Sequence, residues 1–186
     1  MPANRPHKAR DAKAAEILDA AEQLLLLNGF EGTTMASVAR AAGISSNAVY
    51  WYFPAKDELL AAVLRHRQEQ ASARLKAKST APLQEQVLAV LAELDSIANL
   101  TAAVHERAEH SSAVAEVHRA FHAGIEANLQ QGFEAEGLTE QDARLAAAAL
   151  IAMVEGVHLH KPDRDASARN QLVLWAIRKF LDGRTN

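Results

Sequence analysis

Apolar residues recur at three- and four-residue intervals along nearly the whole chain, and an alternation of period two is nowhere sustained, so the pattern predicts an almost wholly helical protein. Ile17, Leu18, Ala21, Leu24 and Leu25 make one stripe, predicting a helix from about Lys8 to Asn28 that Gly29 stops. After "FEGT", Thr33 or Thr34 can cap a second helix running to about Ala42, where Gly43 ends it. A third starts at Ser45 or Ser46 and must be short, because Pro54 forbids continuation and pushes Phe53 out of helical geometry. A fourth opens near Lys56, with Asp57 and Glu58 favouring its N-terminus, and extends to about Ala77.

"KAKSTAP", Lys76 to Pro82, interrupts the rhythm and is the predicted boundary between two parts. Beyond it the pattern predicts helices at about 82–98, 101–109, 112–131, 139–158 and 167–182, the last two separated by "KPDRD". The expected fold is therefore all-α, with about nine helices. The expected domains are a head over residues 11–71, with its two-helix motif at 34–53, and a larger helical domain over 82–186.

Composition narrows the chemistry. The chain of 186 residues has no cysteine, which removes disulfides, thiolate nucleophiles and Cys-ligated zinc. No run approaches the roughly 20 apolar residues of a membrane span, and a cytoplasmic protein with no membrane partner is expected. The net charge of −3 is unevenly placed: residues 1–67 hold eight Lys/Arg against seven Asp/Glu, and the excess of acid lies beyond them. Arg5, Lys8, Arg10 and Lys13 face only Asp11, which reads as a mobile basic arm able to attract phosphate, or as a solvated terminus.

The sharpest signal is the spacing in "TTMASVARAAGISSNAVYWYF". Ala39 is followed four residues later by Gly43 and ten later by Val49. A helix-turn-helix needs a small residue where its helices cross, a left-handed turn residue, and a β-branched residue that packs the second helix back. Ser45, Ser46 and Asn47 then stand at the N-terminus of the second helix, where short polar side chains can reach base edges in a major groove. The four rings of Tyr50, Trp51, Tyr52 and Phe53 hold nearly half of the nine aromatic residues. At about 100° per residue they point four ways. Tyr50 and Tyr52 are expected to face DNA, while Trp51 and Phe53 turn inward as anchors.

Ile17 to Leu64, through "NGF", "TTM", "AAGIS", "VYWYF" and "KDELL", closely resembles the DNA-binding domain of the TetR (tetracycline-repressor-like) family of bacterial transcriptional regulators. The resemblance implies base contacts at Ser46, Asn47 and Tyr50, with Ser45 beside them. It implies phosphate contacts at Thr34, Tyr52 and Lys56. Thr34 and Ser45 read equally as helix caps, and Lys56 as a solvated lysine. Ala36 and Ser37 depart from relatives that carry a basic residue on the second helix.

The same resemblance implies a homodimer formed by the last two helices, a small-molecule effector, and double-stranded operator DNA as partner. Ala149, Ala152 and Gly156 could let helices approach closely, and Trp175, Ile177 and Phe180 add apolar surface for an interface. Six histidines lie in the second part: His105, His110, His118, His122, His158 and His160. His118 and His122 have the i, i+4 spacing that can share a metal. With no HExxH, thiolate or carboxylate in frame, the expectation is instead an effector pocket lined by His118, Phe121, His122 and Ile125. No metal, cofactor or catalytic constellation is expected, so the reading is a ligand-released DNA-binding repressor rather than an enzyme. The rivals are a non-specific or architectural DNA-binding protein, a small-molecule-binding protein without regulatory DNA binding, and a metal-responsive regulator using His118 and His122.

Overall fold

The structure is a computed structural model that describes the backbone of residues 5–76, 80–160 and 165–183, and the side chains of 10–76, 80–157 and 165–183. All nine elements among the described residues are helices: α1 Arg5–Gly32, α2 Met35–Ala41, α3 Ser46–Tyr52, α4 Lys56–Lys76, α5 Leu83–Asp95, α6 Ala98–His110, α7 Ser112–Ala135, α8 Glu140–His160 and α9 Ala166–Asp182. They pack as two compact units, Met1–Gln70 with Ala102–His118, and Ala71–Thr101 with Arg119–Asn186.

In the first unit Ile17, Ala21 and Leu25 repeat every four residues on α1 and are buried. They share the unit's core with Val38 and Ala39 of α2, Val49 of α3, and Leu59, Leu60, Val63 and Leu64 of α4. The returning chain adds Val104, Val114 and Val117. Gly29 stops the regular helix as expected, with φ 70° and ψ −178° interrupting α1 before its last turn. Thr33, also buried, donates its hydroxyl to the Gly29 carbonyl at 2.8 Å. Arg67 of α4 pairs with Glu22 of α1.

The basic run behaves differently from a mobile arm. The helix already begins at Arg5, because "KARDAKAAE" is rich in alanine and straight-chain residues that lose little entropy in a helix. Lys13 there pairs with Glu16, one turn on. The side chains of Arg5, Lys8, His158 and His160 lie outside the described residues, as do 77–79 of the expected boundary and 161–164 of the "KPDRD" break.

The second unit is built round Phe133 on α7, which has no exposed surface. Leu83, Val87 and Leu91 of α5, Ala143, Ala147, Leu150 and Val154 of α8, and Val173, Ile177 and Leu181 of α9 complete that core. Phe180 stacks edge to face on Phe133 with centroids 6.0 Å apart. Gly132 lets α5 come close: a Cβ there would lie 2.5 Å from Cδ1 of Leu83. Arg169 is buried and paired with Asp95, which keeps a charge inside the unit from standing uncompensated.

Ile177, expected at a dimer interface, is fully buried in this core and has no surface to offer a partner. Phe180 is partly spent on the same core. The apolar period of α9 is wide enough for both an inner and an outer face, and Ile177 falls on the inner one. Phe133→Ala should lower unfolding free energy by about 3–5 kcal/mol in denaturant titrations, the usual cost of emptying a fully buried aromatic site.

Candidate nucleic-acid interface

Thr34 caps α2 from an extended conformation, accepting a hydrogen bond from the Ser37 amide at 3.0 Å. Ser37 returns the favour: its hydroxyl oxygen accepts from the Thr34 amide at 3.0 Å and donates to the Thr34 carbonyl at 2.7 Å. This is a capping box with serine in the place usually taken by Glu or Gln. Ser37, which looked like a lost basic contact, is thus part of the cap. The sequence signal for it was the three-residue spacing from Thr34. With the Thr34 amide occupied, the group there that still has a proton to donate is its exposed hydroxyl.

Gly43 makes the turn with φ 65°, its amide donating to the Arg40 carbonyl at 3.3 Å and the Ile44 amide to that of Ala39 at 3.0 Å. Ser45 then caps α3, its hydroxyl oxygen accepting from the Ala48 amide at 3.2 Å. Val49 is fully buried and Ala39 nearly so, filling the crossing as their spacing requires. With that side of α3 held down, Ser45, Ser46, Asn47 and Tyr50 are all exposed on its N-terminal and outer surface. Tyr52 is half-buried, and Phe53 ends the helix in an extended conformation, φ −133° and ψ 100°.

Trp51 corrects the sequence reading. It was expected to turn inward, yet it is 63 % exposed, more than Tyr50 at 50 %. Val49 points into the core, so Trp51, two residues and about 200° further round, must face away from it. Its indole meets Tyr52 edge-on at 4.9 Å between centroids, and the Arg10 guanidinium lies 4.5 Å above its ring. A cation from the start of α1 is thereby set beside α3, a pairing across 41 positions that no local pattern encodes.

Lys56 opens α4, and its ammonium lies 4.0 Å from the centre of the Phe30 ring. The Arg107 guanidinium approaches the same ring at 5.6 Å. Arg107 forks onto Asp57, Nε to Oδ1 at 2.9 Å and Nη2 to Oδ2 at 2.5 Å. The hydrogen bonding to that carboxylate raises the arginine's pKa further, against the opposing effect of burial, with Asp57, Glu106 and Glu31 adding charge attraction. Lys56 therefore stays half-buried at a helix N-terminus, while Asp57 is engaged by Arg107.

The residues expected in an effector pocket divide. Ile125 packs against the core of the second unit, and Phe121 meets His122 edge-on at 5.7 Å. Two surface hollows lie on the second unit, one along α9 at Leu172, Trp175 and Arg178, the other between α8 and α9 at Leu138, Leu145 and Phe180. Neither includes His118, Phe121, His122 or Ile125. Ala149, Ala152 and Trp175 are exposed, as is Leu145, and Gly156 is half-buried.

A capped helix, a glycine turn and a second short helix with an exposed polar N-terminus define a helix-turn-helix protein with a further helical unit. Residues 17–63 match the family described as bacterial regulatory proteins, tetR family. The HTH-type transcriptional regulator BetI of Burkholderia mallei is 31% identical over 160 residues, covering 81% of this chain and 82% of that protein. BetI of Paraburkholderia phymatum is 29% identical, with 81% of each chain covered. Among solved structures, a transcriptional regulator from Rhodococcus sp. Rha1 superposes with a TM-score of 0.77 at 26% identity, covering 91% of this chain and 96% of its own. FadR of Bacillus subtilis, solved in complex with stearoyl-CoA, shares the fold at a TM-score of 0.59 and 18% identity, covering 92% of this chain and 99% of its own.

This chain belongs to the TetR family and is a DNA-binding transcriptional regulator. Since Trp51 is exposed, Trp51→Ala should change unfolding free energy by less than about 1 kcal/mol, within the usual range for surface substitutions. A calorimetric or denaturant measurement showing a loss of several kcal/mol would return the indole to an anchoring role.

Proposed function

We propose that the protein is a homodimeric repressor that each subunit anchors to one half of a near-palindromic operator through α3, and that a small-molecule effector releases it. The observation that carries this reading is the exposed row of Ser45, Ser46, Asn47 and Tyr50 on a helix whose opposite side is pinned by Val49. Ser46, Asn47 and Tyr50 read base edges, with Ser45 at their margin. Thr34, Tyr52 and Lys56 take phosphates, which fixes register without reading sequence. The head over 11–71 would do the reading, and 82–186 would pair subunits and take the effector.

Dimerisation falls to the exposed apolar side of α8 and α9, at Ala149, Ala152 and Trp175, with Leu145 beside them and Gly156 allowing close approach. Phe180 can reach this surface only with what its core packing leaves. His118, Phe121, His122 and Ile125 remain the proposed effector-side residues, Ile125 contributing from the core edge. The effector acts by binding more tightly to the conformation that does not fit DNA, which shifts the population away from the operator. Such a protein works by binding rather than by catalysis, and in the cytoplasm. No single helix among the described residues is long and apolar enough to cross a membrane. The BetI relatives carry the name of transcriptional regulators, and the FadR structure holds an acyl-CoA in the same fold.

Selection from a randomised duplex library should enrich a two-fold-symmetric site; uniform, salt-weakened retention of all sequences would defeat the reading. Lys56→Ala and Tyr52→Phe should weaken every duplex alike, the lysine change also reducing the salt slope by about 1. Asn47→Ala should instead relax preference at one base pair by about 1–3 kcal/mol, read by competition between operator variants.

A further inference from the structure

A DNA phosphate approaching Lys56 meets an adverse neighbour. The first turn of α4 carries Lys56 together with Asp57 and Glu58, so the two carboxylates repel the anion that the lysine attracts. Glu58 is exposed and can extend into water, but Asp57 is half-buried next to the lysine. An aspartate in the first turn of a helix ordinarily settles over that helix's own free amides, the same groups that favour a phosphate.

Arg107 of α6, fifty positions further on, prevents this. Its Nε–H donates to Oδ1 of Asp57 at 2.9 Å and its Nη2–H to Oδ2 at 2.5 Å, so both carboxylate oxygens are committed to one planar fork. Only 29% of the arginine side chain and 20% of the aspartate side chain are exposed, which screens the pair less than a surface pair. Phe30, itself buried, sits 5.6 Å from that guanidinium and 4.0 Å from the Lys56 ammonium, measured to the ring centre. The lysine is thus steadied by a ring face rather than by a carboxylate, and its charge remains available. All four residues belong to the first compact unit.

We propose that Arg107 is a positioning residue for DNA binding: by clamping Asp57 it keeps that carboxylate off the start of α4 and leaves Lys56 open to a phosphate. Arg107 need not touch DNA to do so. A lysine in its place would hold the carboxylate only as a point charge, without the fork that fixes its direction. A released carboxylate about 7 Å from the phosphate lowers affinity about 3–50-fold over the usual range of effective dielectric. The clamp's purpose rests on the phosphate role proposed above for Lys56.

Full-length variants are titrated onto a selected operator duplex by fluorescence anisotropy, and thermal melts establish that each is folded. Arg107→Ala should weaken binding about 3–50-fold, and Arg107→Gln takes its place if the alanine variant does not fold. Asp57→Asn alone should bind at least as tightly as the unaltered protein, and adding it to Arg107→Ala should return the affinity to the unaltered value. Glu106 is exposed on α6, and Arg107→Ala with Glu106→Gln restores the same net charge while leaving Asp57 released, so it should stay weak. A pair that merely joined α6 to α4 would give the opposite pattern: Asp57→Asn as damaging as Arg107→Ala, and the double variant no better. That pattern overturns the proposal, as do normal binding by the folded Arg107 variant and rescue by Glu106→Gln. Lys56→Ala separates the two claims. A loss there without rescue by Asp57→Asn overturns the clamp alone, while no loss sinks the phosphate role on which the clamp rests. If selection yields no operator, the series is read on a random duplex, where phosphates alone hold the protein.

Discussion

A helix of seven residues does not persist in water, where even alanine-rich helices below about 12–15 residues are marginal. Helix α3 has that length, so its existence depends on what grips it. Three things do: the Ser45 cap at its start, Val49 buried against the head's core, and the extended Phe53 whose amide closes onto the Val49 carbonyl at 2.8 Å. The left-handed Gly43 sets the angle at which α3 leaves α2. Because a single apolar residue pins the helix, the rest of its surface is free to carry chemistry. Stability and exposed polar surface are thus divided round one helix rather than shared within each residue.

The limits of the sequence reading follow from the same division. Helix starts and stops are local, set by a cap, a glycine or a proline, and they were legible to within a few residues: Gly29, Thr34, Gly43, Ser45 and Pro54 all stand at ends. Which way a side chain faces is set by what packs on the helix. Trp51 was misread for that reason, since a large ring suggests burial while Val49 had already fixed the inward side. Ile177 failed in the opposite sense: its apolar character suited an interface, but Phe133 and its neighbours claimed it. Arg10 on Trp51 joins residues far apart in the chain, and no spacing rule reaches them.

Charge in the head is arranged by pairing more than by excess. Asp57 and Glu58 would by themselves place negative potential at the start of α4, next to Lys56. Arg107 neutralises Asp57 with two hydrogen bonds, and Phe30 offers its ring face to both Lys56 and Arg107. Arg10 brings a further cation to Trp51. A chain with a net charge of −3 can therefore present an anion-tolerant surface at one place without being basic as a whole.

The first compact unit draws on two stretches of chain, Met1–Gln70 and Ala102–His118. Val104, Val114 and Val117 are part of its buried interior, and Arg107 is part of its charge balance. The unit is consequently not a cassette that can be lifted out at a single cut. Exchanging DNA specificity between relatives by swapping N-terminal segments would leave the recipient's own valines and arginine to complete a foreign interior. Heads should move between regulators only in pairs of segments, and divergence in one stretch must be matched by divergence in the other.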